Sequence, residues 1–148
     1  MPFNLNGTTI QKLVLNGVEV DNAYLNGVKV FTASPEVGDY YNGGTYLGDL
    51  DGYRYIWSGL ESDDLTQSDA KTYCENLQKD GYEDWFLPTR GELLWMAIKP
   101  MLIPAIKTWS STNSSSLVSY MVDTANEVSS TQRNTNLYPA LPIRKEEI

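Results

Sequence analysis

The residues of this chain that have chemistry to offer are carboxylates and aromatics. Two Asp or Glu side chains at a suitable separation can cleave a glycosidic bond, one as the acid and the other as base or nucleophile. Asp49, Asp51, Glu61, Asp63, Asp64, Glu83, Asp84 and Glu92 are the candidates. Spacing in sequence does not set their separation, and most carboxylates of an acidic chain are solvated, so no enzyme is expected. Histidine is absent, which excludes Ser-His-Asp, Cys-His and histidine-metal sites and removes the usual general base of neutral pH. Cys74 is the single cysteine, so there is neither an internal disulfide nor a cysteine-based zinc site. Burial as a small apolar residue is its expected use.

No cofactor is expected, and no metal for folding. The acidic residues lack the spacing of an EF-hand loop, and a calcium-assisted site near Asp63 and Asp64 is the less favoured reading. Four tryptophans and ten tyrosines offer flat faces on which sugar rings stack. Trp95 lies in the apolar run Leu93-Leu94-Trp95-Met96 and is expected in the core. The better surface candidates are Tyr120, Asn126, Arg133, Asn134, Asn136 and Tyr138, which mix aromatic, amide and guanidinium groups in a loop-rich stretch.

Charge narrows the partners. Eleven Lys and Arg against nineteen Asp and Glu give a net charge of -8, which argues against a phosphate backbone and so against nucleic acid. No apolar run reaches transmembrane length, and the start Met-Pro-Phe-Asn has neither a basic region nor an apolar run. The expectation is a protein made in the cytoplasm, without membrane insertion.

The elements that must position these groups fall into two parts. Leu-Asn-Gly recurs at 5, 15 and 25, a ten-residue repeat, and the last two copies continue as Val18-Glu19-Val20 and Val28-Lys29-Val30. Asn-Gly between β-branched residues predicts two-residue hairpin turns, since both turn positions need positive φ. Residues 3–31 therefore read as a small β-meander pairing Leu15 with Val18, Leu13 with Val20, Leu25 with Val28 and Ala23 with Val30. Apolar groups then fall on both faces, or the chain kinks at Asp21-Asn22. So small a sheet cannot cover itself. Leu13, Leu15, Val18, Val20, Tyr24, Leu25, Val28, Val30 and Phe31 are therefore expected to dock residues 1–33 to another protein or to further copies of this chain, as a homo-oligomer.

After the short linker at 32–36, residues 37–148 read as an α+β domain. Strands are expected at 40–48 and 53–57, with a turn at Asp51-Gly52. Thr66 caps a helix with apolar residues at 70, 73, 74 and 77 that Gly81 stops. Thr89 and Glu92 form a capping box for a second helix at 90–98. Between these helices, Trp85, Phe86 and Leu87 are too apolar for a free loop and are expected against the core. Short strands follow at 108–111, 117–122, 128–130 and 141–144.

In order and spacing, residues 37–145 resemble the Lcl-type adhesin C-terminal family, a bacterial and phage branch of the C-type-lectin-like fold. The carriers are Gly43-Gly44, Ala70 and Cys74, the stretch Gly81-Tyr-Glu-Asp-Trp-Phe-Leu-Pro-Thr-Arg90, Glu92-Leu93, Trp109-Ser-Ser-Thr112 and Leu141-Pro-Ile-Arg144. Phe86 stands where the family pattern usually has arginine. The resemblance implies a C-type-lectin-like domain of two helices and twisted antiparallel sheets, with Trp85 and Trp109 in its core, acting as an adhesive or ligand-binding module. The decapeptide module resembles short N-terminal modules of tailed-phage virion proteins. Together they imply a virion structural protein, on capsid or tail, docked to other virion proteins through residues 1–33 and facing a host-surface glycan or protein. The alternatives are a bacterial surface adhesive module and a carboxylate-dependent glycan-cleaving enzyme.

Overall fold

A computed structural model describes the backbone strands between residues 3 and 32 and both backbone and side chains of residues 35–99 and 101–148. The chain divides into two compact units, Met1–Pro35 and Glu36–Ile148.

The first unit is made of hairpins. β1 (Phe3–Leu5) pairs with β2 (Thr8–Ile10), β3 (Leu13–Leu15) with β4 (Val18–Val20), and β5 (Asn22–Leu25) with β6 (Val28–Thr32), all antiparallel. Leu13 opposes Val20, Leu15 opposes Val18 and Leu25 opposes Val28, the expected register. Two corrections follow. The strands form three two-stranded sheets instead of one meander, because β3 pairs with residues 18–20 alone and β6 with residues 22–25 alone, so the two hairpins occupy successive stretches of chain and share no strand. Ala23 opposes Phe31 instead of Val30, because an irregularity beyond Tyr24 and Lys29 places one extra residue, Val30, on β6. The Asn-Gly turns, Asp21 and the side chains of the nine docking candidates lie outside the described residues.

The second unit is α+β, with two helices and two antiparallel sheets. β7 (Tyr40–Tyr41), β8 (Gly44–Leu50) and β9 (Tyr53–Trp57) join β13 (Ile143–Glu147) in a four-stranded sheet of order β13-β9-β8-β7. β10 (Lys107–Asn113), β11 (Val118–Asp123) and β12 (Val128–Arg133) form a three-stranded sheet in sequence order. The expected strand at 40–48 is in fact a hairpin. Asn42 at φ 43° and Gly43 at φ 102° supply the positive φ values of a two-residue turn, and Tyr41 opposes Gly44.

The helices are α1 (Gln67–Asn76) and α2 (Arg90–Ala97). Both start as their caps dictate. The Thr66 hydroxyl accepts from the Asp69 N–H, and the Thr89–Glu92 capping box is complete. α1 stops earlier than expected, at Leu77, whose N–H turns back onto the Cys74 carbonyl. Gly81, at φ 84°, belongs instead to a separate turn with Asp80, at φ 52°, which closes through the Lys79 and Tyr82 backbones.

Two clusters fill the interior. Leu47, Tyr55, Leu93, Met96, Ile103, Val122 and Ile143 pack between α2 and the sheets, and Ala70, Cys74, Leu87, Trp109, Met121 and Ala140 pack between α1 and the three-stranded sheet. The connector after Gly81 is held as expected. Trp85 and Leu87 are buried, and the Phe86 N–H donates to the Ile143 carbonyl at 2.8 Å while Ile143 returns the bond at 3.1 Å. Trp109 is buried too, whereas Trp95 is only half-buried, with Tyr55 packed on it and the Lys99 ammonium 4.6 Å from its ring centre.

Candidate functional site

The face of the three-stranded sheet beneath α2 gathers Arg90, Tyr120, Ser129, Thr131 and Arg133, groups with recognition chemistry. The Thr89 cap starts α2 at Arg90, whose N–H donates to Thr112 Oγ1 at 3.0 Å, so the side chain leaves the helix directly over β11 and β12. Its guanidinium carbon lies 4.4 Å from the centre of the Tyr120 ring, a cation–π contact, and its Nε donates to Ser129 Oγ at 2.8 Å. Tyr120 opposes Thr131, Val122 opposes Ser129 and Val118 opposes Arg133. Directly opposed residues and every second residue share a face, so Ser129, Thr131 and Arg133 stand with Tyr120 and Arg90.

Arg90, Thr131 and Arg133 are exposed. Two guanidinium groups thus stand on one face of a chain whose net charge is -8. With the Tyr120 ring and the hydroxyls of Ser129 and Thr131, they present stacking, donors and acceptors together, as a binding surface requires.

Of the six ligand-facing candidates, this face brings together Tyr120 and Arg133 only. Asn134 is a half-buried clamp: its Oδ1 accepts from Ser119 Oγ at 2.6 Å and its Nδ2 donates to the Ser116 carbonyl at 3.2 Å. Asn136 donates to Gln132 Oε1 at 3.1 Å, beyond the end of β12. Asn126 lies at the opposite end of the β11–β12 hairpin, donating to Asp123 Oδ2 at 2.8 Å. That bond and the Asn126 and Ala125 N–H groups hold the Asp123 carboxyl below its ordinary pKa. Tyr138 meets Trp109 edge-on, with ring centres 5.3 Å apart, and belongs with the second core cluster.

The carboxylates are dispersed among structural duties and open surface. Both oxygens of Glu92 are engaged, Oε1 by the Thr89 N–H at 2.9 Å and Oε2 by the Tyr55 hydroxyl at 2.6 Å. Burial first, and then this carboxylate, push the Tyr55 hydroxyl pKa upward. Asp84 is gripped by Arg144, and Asp49 accepts from the Tyr46 hydroxyl. Asp51, Glu61, Asp63, Asp64 and Glu83 are exposed. Among the described residues no three His, Cys, Asp or Glu groups lie together as a metal site, so Asp63 and Asp64 gain no third ligand from them. Cys74 is fully buried, and burial pushes its thiol pKa up to about 12, so it is held as the unreactive thiol.

Sequence alone assigns no site role to Arg90, Ser129 or Thr131. Their signal was present, because a capping box at Thr89 fixes where Arg90 emerges and the period of two along 128–133 aligns Ser129, Thr131 and Arg133. What the sequence lacks is the packing of α2 across that sheet.

No family model matches the chain, and no curated protein matches it.

Proposed function

We propose that this chain is a structural protein of a tailed-phage particle, with residues 1–33 docking to the particle and residues 37–148 forming a C-type-lectin-like domain turned outward for adhesion. The observation that carries this reading is the division at Pro35 between a unit of decapeptide hairpins and a separately cored α+β unit. Two-stranded hairpins have little stability of their own in water, which favours a partner for them: other virion proteins, further copies of this chain, or both.

The lectin-like assignment rests on the two helices, the two antiparallel sheets and the return of β13 to the sheet that opens the domain. The reading includes no reaction, since Glu92 and Asp84 are spent on capping and on ion pairing. A host-surface glycan or protein is the ligand in view, met by the Arg90–Tyr120 face. Display in many copies lets weak contacts add through effective concentration.

Antibody-gold electron microscopy of purified particles, with mass spectrometry of the same preparation, tests the reading. Gold on the head identifies a capsid decoration, and gold on the tail identifies a host-recognition part. Particles that lack the chain refute the proposal.

A further inference from the structure

The three-stranded sheet has one covered edge and one open one. On the outer side of β10 the Trp109 N–H donates to the Pro139 carbonyl at 3.0 Å and the Ser111 N–H to the Pro88 carbonyl at 2.8 Å. On the other side β12 is the last strand, and among the described residues it pairs with β11 alone. The Asn134 N–H donates to the Leu117 carbonyl at 2.9 Å, in the register that sets Val118 opposite Arg133. Antiparallel pairs exchange hydrogen bonds at every second position, so Ser129, Thr131 and Arg133 turn their backbone groups away from β11. The Asn136 N–H occupies the Arg133 carbonyl at 2.9 Å. The N–H and C=O groups of Ser129 and Thr131 and the Arg133 N–H have no partner among the described residues.

Edge strands are ordinarily kept from pairing with other chains by proline, lysine or a bulge. β12 has none of these: it reads Val-Ser-Ser-Thr-Gln-Arg, its register with β11 is unbroken, and its one charge, Arg133, ends the strand. The alternation that frees these backbone groups also sets the Ser129, Thr131 and Arg133 side chains on the face that carries Arg90 and Tyr120. The Arg90 side chain is hydrogen-bonded through Nε alone. Its terminal nitrogens and the Arg133 guanidinium make no hydrogen bond or ion pair among the described residues, whereas Arg144 is paired with both Asp84 and Glu146.

We propose that β12 takes up an extended acidic segment of another protein as an antiparallel fourth strand of this sheet. The backbone of the added strand meets the free groups of Ser129, Thr131 and Arg133, and its alternate side chains fall on the face of Arg90 and Arg133. The residues that oppose Ser129 and Arg133 lie four apart on the added strand, so carboxylates at that spacing each reach one guanidinium. A second copy of this chain fits the edge less well. Pairing β12 with itself about Thr131 sets Arg133 opposite the second copy's Ser129, beside that copy's Arg90, and so brings like charges together. The proposal rests on the reading of residues 37–148 as a binding module, takes a protein as its ligand, and is independent of the particle that carries it.

The test is fluorescence anisotropy of a dye-labelled peptide, Ser-Glu-Thr-Val-Thr-Glu-Ser, titrated with the full chain to millimolar concentration. One control carries lysine in place of both glutamates, and another is N-methylated at the glutamates and the valine, the residues whose N–H groups point at β12. The expected result is binding of the acidic peptide that weakens with added salt, and none of either control. Arg90→Gln and Arg133→Gln each weaken binding by about two- to fivefold, the measure of one exposed ion pair. Thr131→Pro removes an N–H that β11 does not use, so it keeps the far-UV circular dichroism of the parent and abolishes binding. Should that variant unfold, the N-methylated peptide decides alone. No binding of the acidic peptide overturns the proposal, as does equal binding of either control. Self-association of the chain that a folded Thr131→Pro abolishes overturns it in favour of a second copy. Gold label on particles without peptide binding removes the edge and leaves the display reading; peptide binding without label does the reverse.

Discussion

Arg144 grips Asp84 from 60 positions away, its Nε 2.8 Å from Oδ1 and its Nη2 3.2 Å from Oδ2. The same guanidinium donates to Glu146 Oε1 at 2.7 Å and to the Asn42 carbonyl at 3.0 Å, and lies 3.9 Å from the centre of the Tyr82 ring. One buried side chain thus ties the β7–β8 turn, the connector before α2 and the last strand. Asp84 is 55% exposed and rehydrates once released, so Arg144→Ala is expected to cost about 2–4 kcal/mol, without the full penalty of a stranded buried charge. Arg144→Lys recovers little of it, because an ammonium cannot make the two-pronged contact. Urea denaturation checks this through a lowered midpoint at an unchanged slope.

Gly44 has no room for a side chain. A Cβ there would overlap the Trp57 carbonyl oxygen, a backbone atom that cannot move without opening the β8–β9 pairing. Gly44→Ala is expected to cost more than about 3 kcal/mol or to prevent folding. Gly52 sits in a turn at φ 82° with nothing within 4 Å, so Gly52→Ala carries only backbone strain, about 1 kcal/mol. Thermal melts of the two variants separate them.

Alkali is expected to unfold the domain through its buried tyrosines. Burial first, and then Asp49, push the Tyr46 hydroxyl from the ordinary 10.0 up to about 12. Between those values the folded protein keeps a proton that the unfolded chain has lost, so stability is full below pH 10 and declines as pH rises toward 12. Tyr55 shifts in the same direction and adds to the decline. Denaturation midpoints measured across this window should fall steadily, with a shallower fall in Tyr46→Phe. A flat profile would contradict the burial of these hydroxyls.

Deleting residues 1–33 is expected to leave the second unit folded and soluble, because both interior clusters lie wholly within Glu36–Ile148. Near-UV circular dichroism should keep the signals of Trp85 and Trp109. The truncated protein should also be absent from particles assembled in its presence. Normal incorporation would count against docking through the hairpins, and loss of the aromatic signals would count against an independent fold.

What the sequence made legible was local. Thr66 and Thr89 announce their helices because a cap and its partner lie three residues apart, and the buried connector at 85–87 is marked by apolar residues that no free loop would carry. The rule that revealed the decapeptide hairpins also holds at Asn42-Gly43, but the short β7 gives that turn only two residues of strand on one side. Gly81, a glycine after an apolar stripe, resembles a helix stop, whereas the backbone of α1 already closes at Leu77. The Arg144 clamp, the packing of Arg90 over Tyr120 and the half-exposure of Trp95 depend on contacts between distant segments, which no local pattern encodes.

The place of β13 bears on how the domain is made. Its residues oppose β9 from Ile143↔Trp57 to Glu147↔Tyr53, and Ile143 also fastens Phe86, so an edge formed early in synthesis waits for a partner translated some ninety codons later. Until residues 143–147 have left the ribosome, β9 lacks this neighbour and Trp57, Ile56 and Tyr55 lack the residues they oppose. Folding of this unit is therefore completed after translation of its last strand, and a transcript truncated before Ile143 yields a nascent chain for chaperones or proteases to clear.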